Sequence, residues 1–189
     1  MLHTLTEDFA TFLSEVTHSD LSSPVPYSTR DIGDLYLHLL DQHNNIAAVL
    51  GDRPIPQPTG PHDRQALDTR VDPIYGSVEL EAGYRHSAQL MENAFTATTD
   101  TSRRYQVPGF PAAADIATLY EEQIRNTVIH TWDVAQALGF PYQPARDVAQ
   151  RVLRTTVLRA TPQASDSATE TANDTGEFAS VLSLSGRTR

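Results

Sequence analysis

The chain has 189 residues and a mass of 20.8 kDa, with 14 Lys and Arg against 24 Asp and Glu and a formal net charge of −10. That length suits one domain around one core, and the acidic balance gives no electrostatic footprint for DNA, RNA or an anionic membrane surface. There is no Cys, which excludes disulfides, Cys-based zinc sites, iron–sulfur clusters and thiol nucleophiles, and leaves any metal to His, Asp, Glu, Asn, backbone or water.

The opening MLHTLTEDFATF has neither a basic n-region nor an apolar core of signal-peptide length. No apolar run approaches the 18 or so residues that cross a bilayer, so a cytoplasmic protein is expected. Neither a G-x-G-x-x-G nor a G-x-x-x-x-G-K-[ST] stretch occurs to cradle phosphate.

A first helix is predicted from Thr4 to about Thr17, with Thr4 and Glu7 as a capping box and Phe9, Phe12, Leu13 and Val16 on one face. Pro24 and Pro26 break the chain after it. A second helix runs from about Asp31 to Leu50, capped by Ser28 or Thr29 and stopped at Gly51. Leu35, Leu39, Ile46 and Leu50 mark its apolar face, which brings His38 and Gln42 near the buried side. GDRPIPQPTGPHDR reads as an exposed loop, and the stretch on to Tyr75 has too weak a period to assign. A third helix spans Ser77 to Ala97 with Tyr84, Ala88, Met91 and Phe95 on one side.

Pro111 suits the N-terminal turn of the fourth and longest helix, which ends at Leu138 before Gly139. One of its stripes runs Ile116, Leu119, Gln123, Thr127, His130, Val134, Ala137, and a second adds Ile124, Val128, Thr131, Ala135 and Leu138. So broad a face fits a helix covered by several others. A fifth helix starts near Pro144 and carries Val148, Val152 and Val157. Residues 161–176 read as a mobile polar loop. Phe178, Val181, Leu182 and Leu184 then form a short strand or last helical turn that docks back. The expectation is one all-α domain, residues 1–189, built as a helical bundle.

The seven His residues are the first candidates for chemistry. His3, His18, His62 and His86 read as surface residues. His43 lies five positions from His38, about 140° around a helix, so those two do not readily share a site. His38 and His130 remain, each on or beside an apolar stripe. Either both are buried structural imidazoles, or they face one another across a site between two helices. Asn126 stands one turn before His130 on the same side, but a neutral amide is a poorer ligand than a carboxylate. Glu122 lies two turns before His130 and Asp34 one turn before His38; each either reaches the same cavity or orients an imidazole. In NTVIHTWDVAQALG, Asp133 follows His130 by three positions, where it supports the imidazole, pairs with an Arg, or caps a neighbouring segment, while the single Trp132 packs between helices. Arg125, Tyr36 and Tyr120 offer polar contacts to an anionic or carbonyl-bearing substrate, or are simply helix-surface residues.

Two stretches, STRDIGDLYLHLLDQHNNIAAVLG and PAAADIATLYEEQIRNTVIHTWDVAQALG, together with the closing LSLSGR, resemble the DinB/YfiT-like superfamily. Within it they are similar to actinobacterial proteins related to the metal-binding N-terminal domain of mycothiol-dependent maleylpyruvate isomerase. The resemblance implies a DinB-like four-helix bundle with short C-terminal additions. It also implies one divalent metal, zinc or nickel, held at the positions of His38, Asn126 and His130, where relatives carry His, Glu or Asp at the middle position. Relatives use the thiolate of mycothiol or bacillithiol against an electrophile, followed by isomerisation or transfer. The expected function is therefore that of a small-molecule enzyme, a metal- and thiol-dependent transferase or isomerase. The alternatives are a metal-free enzyme in which His38 or His130 transfers protons, or a non-enzymatic small-ligand-binding protein. The expected partner is a small molecule, with the protein a monomer or small homo-oligomer.

Overall fold

Asp31 opens the helix that carries half of the candidate site: its side chain accepts the backbone N–H of Asp34 at 2.8 Å. The Asp, not the expected Ser28 or Thr29, is the cap. Residues 24–31 fold back through a Pro24–Asp31 bridge, with Tyr27 at φ 58°, which takes Ser28 and Thr29 away from the helix axis. The computed structural model describes residues 1–71, 78–160 and 174–187. Its helices are α1 (Leu2–Ser14), α2 (Ile32–Leu50), α3 (Pro61–Arg70), α4 (Val78–Ala97), α5 (Ile116–Leu138), α6 (Arg146–Ala160) and α7 (Asp174–Leu184), with a 3₁₀ turn at His18–Ser22. Among the described residues no strand forms, apart from two isolated bridges. No helix among them is long and apolar enough to cross a membrane.

Other boundaries also moved. The first helix starts at Leu2, so Thr4 caps nothing; Leu2 and Leu5 are buried and draw the chain into the core two residues early. The expected exposed loop stops at Gly60, and Pro61, at the first helical position, starts α3. That helix has no apolar stripe. It is tied to α2 by Arg64, which pairs with Asp31 at 2.6 Å and Asp34 at 3.1 Å, its guanidinium lying where a side chain on Gly33 would begin. Pro111 stays outside α5, which is capped by Asp115 through Thr118 N–H at 2.8 Å; its 23 residues span about 35 Å. Gly139 ends α5 at φ 75°, where a residue without Cβ is favoured. The polar stretch expected to be mobile falls mostly outside the described residues, but its end, from Asp174, already belongs to the helix α7, which continues through the segment expected as a short strand or last turn.

The bundle has three well-packed seams: α2 on α4, α4 on α1, and α1 on α5. The fourth, between α2 and α5, is the loosely packed one. α6 covers α5 and holds α7, while α3 and the 3₁₀ turn lie against α2. The apolar interior falls into two clusters. One gathers Leu2, Leu5, Ile46, Leu50, Met91, Phe95, Leu119 and Val128; the other gathers Phe9, Leu13, Leu35, Leu39, Leu80, Tyr84 and Val134. Between them lie the buried polar residues Thr6 on α1 and His43 on α2, with Ser87 on α4 and Thr131 on α5 buried near the boundary. The order of cluster residues also shows α2 and α5 running antiparallel.

Candidate functional site

A cavity of about 390 Å³ occupies the loose seam. His38, Asp41, Gln42 and Asn45 line it from α2, and Glu122, Arg125, Asn126 and His130 from α5. The spacing of three and four residues on both helices places each set on one face. Arg30 and the Pro108–Pro111 segment complete the wall. Pro111, expected to start a helix, thus belongs to the cavity.

His38 and His130 meet edge to face, their ring centroids 6.4 Å apart and planes at 87°. Burial pulls the His38 imidazole down to about 4, with Arg30 and His130 adding to the shift and Asp41 opposing it. At neutral pH His38 is therefore uncharged. Behind His130, Nδ1 lies 3.1 Å from Oδ2 of Asp133, which is 1% exposed. Arg187 grips the same carboxylate, Nε to Oδ1 at 2.7 Å and Nη2 to Oδ2 at 2.6 Å. Burial works against a charge on Asp133, but the hydrogen bonds from His130 and Arg187 outweigh it and hold the carboxyl below its ordinary value. An ionised carboxylate only accepts, so the His130 nitrogen facing Asp133, Nδ1, is the donor, and in the neutral ring the lone pair lies on Nε2.

Also in the cavity wall, Arg125 is bound to Glu122 at 2.9 Å and donates from Nη2 to the amide oxygen of Asn126 at 2.9 Å. Asp41 is occupied in holding the 51–60 loop through Thr59 N–H and hydroxyl, at 3.0 and 2.8 Å from Oδ2.

His38, Asn126, His130 and Glu122 thus come together as the spacing suggested, with Asp133 directly behind. Asp34 and Tyr36 do not join them. Asp34 is drawn outward to Arg64, and Tyr36 is buried on the α4 side, its hydroxyl over Gly83. Tyr120 packs on Phe95 at 5.4 Å and is not in the lining. Trp132 is buried under Tyr27, the rings stacked 6.2 Å apart. Asp133 both supports His130 and pairs with an Arg.

Three features were not foreseen. His43 is wholly buried: its Nδ1 lies 3.0 Å from the Ser87 hydroxyl, which itself donates to Tyr84 O at 2.9 Å. Burial, aided by His130, takes this imidazole down to about 3. Its spacing with Leu39, Ile46 and Leu50 carried the signal. Asp41 and Asn45 were equally legible, at three and seven positions from His38. Arg30 and Arg187 lie outside helices, where periodicity says nothing.

The sequence profile of the mycothiol maleylpyruvate isomerase N-terminal domain matches residues 2–135. The chain belongs to this family. Two solved structures have a similar fold: mycothiol-dependent maleylpyruvate isomerase, with TM-score 0.58 and 16% identity, and a histidine-to-alanine variant of it, with TM-score 0.60 and 13% identity. Each comparison covers 84% of this chain and 65% of the solved one, so the chain spans slightly under two thirds of their length. No curated protein matches the sequence. The helical bundle is therefore the family's DinB-like fold.

The family resemblance implies a divalent metal at His38, Asn126 and His130, but the residues present do not fit one. The middle donor is neutral, and its oxygen already accepts from the Arg125 guanidinium. A cation held by that oxygen would have to share it with the Arg125 guanidinium, a positive charge of the protein's own. Among the described residues no group of three or more His, Cys, Asp or Glu stands where it could hold a metal ion.

Proposed function

We propose that the α2–α5 cavity is the active site of a thiol-dependent isomerase or transferase in which His130, not a metal, activates the thiol. The observation that carries this reading is the Arg187–Asp133–His130 chain ending at a cavity-lining imidazole whose Nε2 is free to take a proton. The sequence has no Cys, so the sulfur comes from a cosubstrate, mycothiol by analogy with the two solved relatives. Nε2 of His130 takes the thiol proton, and the thiolate adds to one carbon of an electron-poor cis alkene. The alkene electron pair moves onto the conjugated carbonyl oxygen. Rotation about the resulting single bond and expulsion of the thiolate give the trans alkene, and His130 returns the proton to sulfur. If the carbanion is protonated instead, the product is the thiol adduct. Arg30 and Arg125 suit a substrate carboxylate and the negative charge that develops on the carbonyl oxygen. His38, uncharged beside them, is placed to accept a hydrogen bond or relay a proton.

Purified protein incubated with maleylpyruvate and mycothiol is expected to produce the trans isomer or the thiol adduct, followed by absorbance and mass spectrometry. Absence of both products at saturating thiol, with zinc or nickel added or not, overturns the reading. Turnover only with added metal overturns the metal-free part of it.

A further inference from the structure

Arg187 is separated from Asp133 by 54 residues of sequence, yet it is anchored on three sides. Gly186, at φ 77°, turns the chain just beyond α7. The Arg187 backbone N–H then donates to Leu182 O at 2.7 Å, and its Nη1 to Ser185 O at 3.1 Å. The remaining edge of the guanidinium, Nε and Nη2, forms the two parallel bonds to Asp133. Its side chain is only 14% exposed, and that of Asp133 is 1% exposed.

A bidentate guanidinium fixes the plane of a carboxylate, which a single contact does not do. With that plane fixed, one acceptor direction of Oδ2 is left for His130. An imidazole without a fixed acceptor has two neutral tautomers of similar energy and can turn about its side-chain bonds. We infer that Arg187 is a positioning residue which, through Asp133, holds His130 in one ring orientation as the Nδ1–H tautomer, so that Nε2 meets the cavity as the lone-pair nitrogen. The α6–α7 pair, which packs outside the four-helix core, thereby has a second role: it delivers the guanidinium that sets the chemical state of a residue on α5. The functional weight of this inference rests on the reading of His130 as the proton carrier, whereas the tautomer itself does not.

Nitrogen-15 NMR of the full chain labelled at histidine tests the inference at neutral pH, with the His130 signals identified by their loss in His130→Gln. The wild type is expected to show His130 with its proton on Nδ1 alone. Arg187→Ala is expected to shift those signals toward a mixture of tautomers, and Arg187→Lys, which keeps the charge but not the fork, to fall in between. In an active enzyme Arg187→Ala is expected to lower kcat by roughly tenfold to a hundredfold, more than it changes KM. A wild-type proton on Nε2, or an unchanged tautomer in a folded Arg187→Ala, overturns the inference. Where Arg187→Ala does not fold by circular dichroism, Arg187→Lys decides: wild-type signals there overturn it equally. A protein that shows the expected tautomer but turns over neither product sinks the proposed function and leaves the positioning role standing.

Discussion

The Nη2 of Arg125 lies 2.9 Å from the amide oxygen of Asn126, so the middle position of the expected ligand set is held by a cation of the protein's own. Wild-type protein purified without a metal column should carry far less than one zinc or nickel per chain by elemental analysis. The double variant Asn126→Glu/Arg125→Ala restores an anionic donor and removes the competing charge. It should bind zinc at least roughly tenfold more tightly in calorimetric titration, the scale on which a ligand's immediate surroundings tune metal affinity. Equal affinity in the two proteins would show that Asn126 is not a ligand position.

His130→Ala should lower thiol-dependent turnover by about 10²–10⁴-fold, the usual contribution of a positioned acid–base group. Asp133→Asn keeps the shape but loses the charge that pairs with Arg187, and is expected to fall between wild type and His130→Ala. Progress curves under saturating thiol separate the three.

Gly83 on α4 leaves room for Tyr36 on α2: a Cβ there would stand 2.5 Å from the tyrosine oxygen but 3.8 Å from the nearest ring carbon. Gly83→Ala should cost about 1–3 kcal/mol by urea unfolding, as overpacking does. Adding Tyr36→Phe should recover part of that loss, so that the double variant is more stable than the sum of the single changes predicts.

Acid should loosen the fold through His43. Its folded-state value is depressed to about 3 from 6.5, so the unfolded chain binds the proton more readily. Stability is full above pH 6.5 and falls as the pH drops toward 3. His43→Asn keeps a side-chain N–H for Ser87 but cannot titrate. Its urea midpoint should fall less than that of the wild type between pH 6.5 and pH 4.

The faces of α4 and α5 were legible because Tyr84, Ala88, Met91 and Phe95, or Leu119, Ile124 and Val128, repeat at the helical period and are buried as that period requires. The same patterns left the facing of His38 and His130 as one of two open readings, and the rings do meet across the α2–α5 seam. Caps were harder, since they depend on how the chain arrives: Thr4 and Glu7 match a capping box in composition, but burial of Leu2 had already begun the helix. α3 was missed because Arg64 and its acidic partners hold it, without a stripe of its own. The carboxylate behind His130 was visible three residues away, whereas its guanidinium partner was not. A contact across 54 residues leaves no local period, and nothing in LSLSGR marks Arg187 as the partner of Asp133.

The buried His43–Ser87 contact acts as an index mark between α2 and α4. Sliding α2 by one turn along its neighbours, about 5.4 Å, would strand the buried His43 imidazole without Ser87. The same slide would separate His38 from His130. A single register therefore keeps both the His43–Ser87 contact and the cavity, and the loose seam can stay open to a ligand without losing the height at which its two imidazoles face each other.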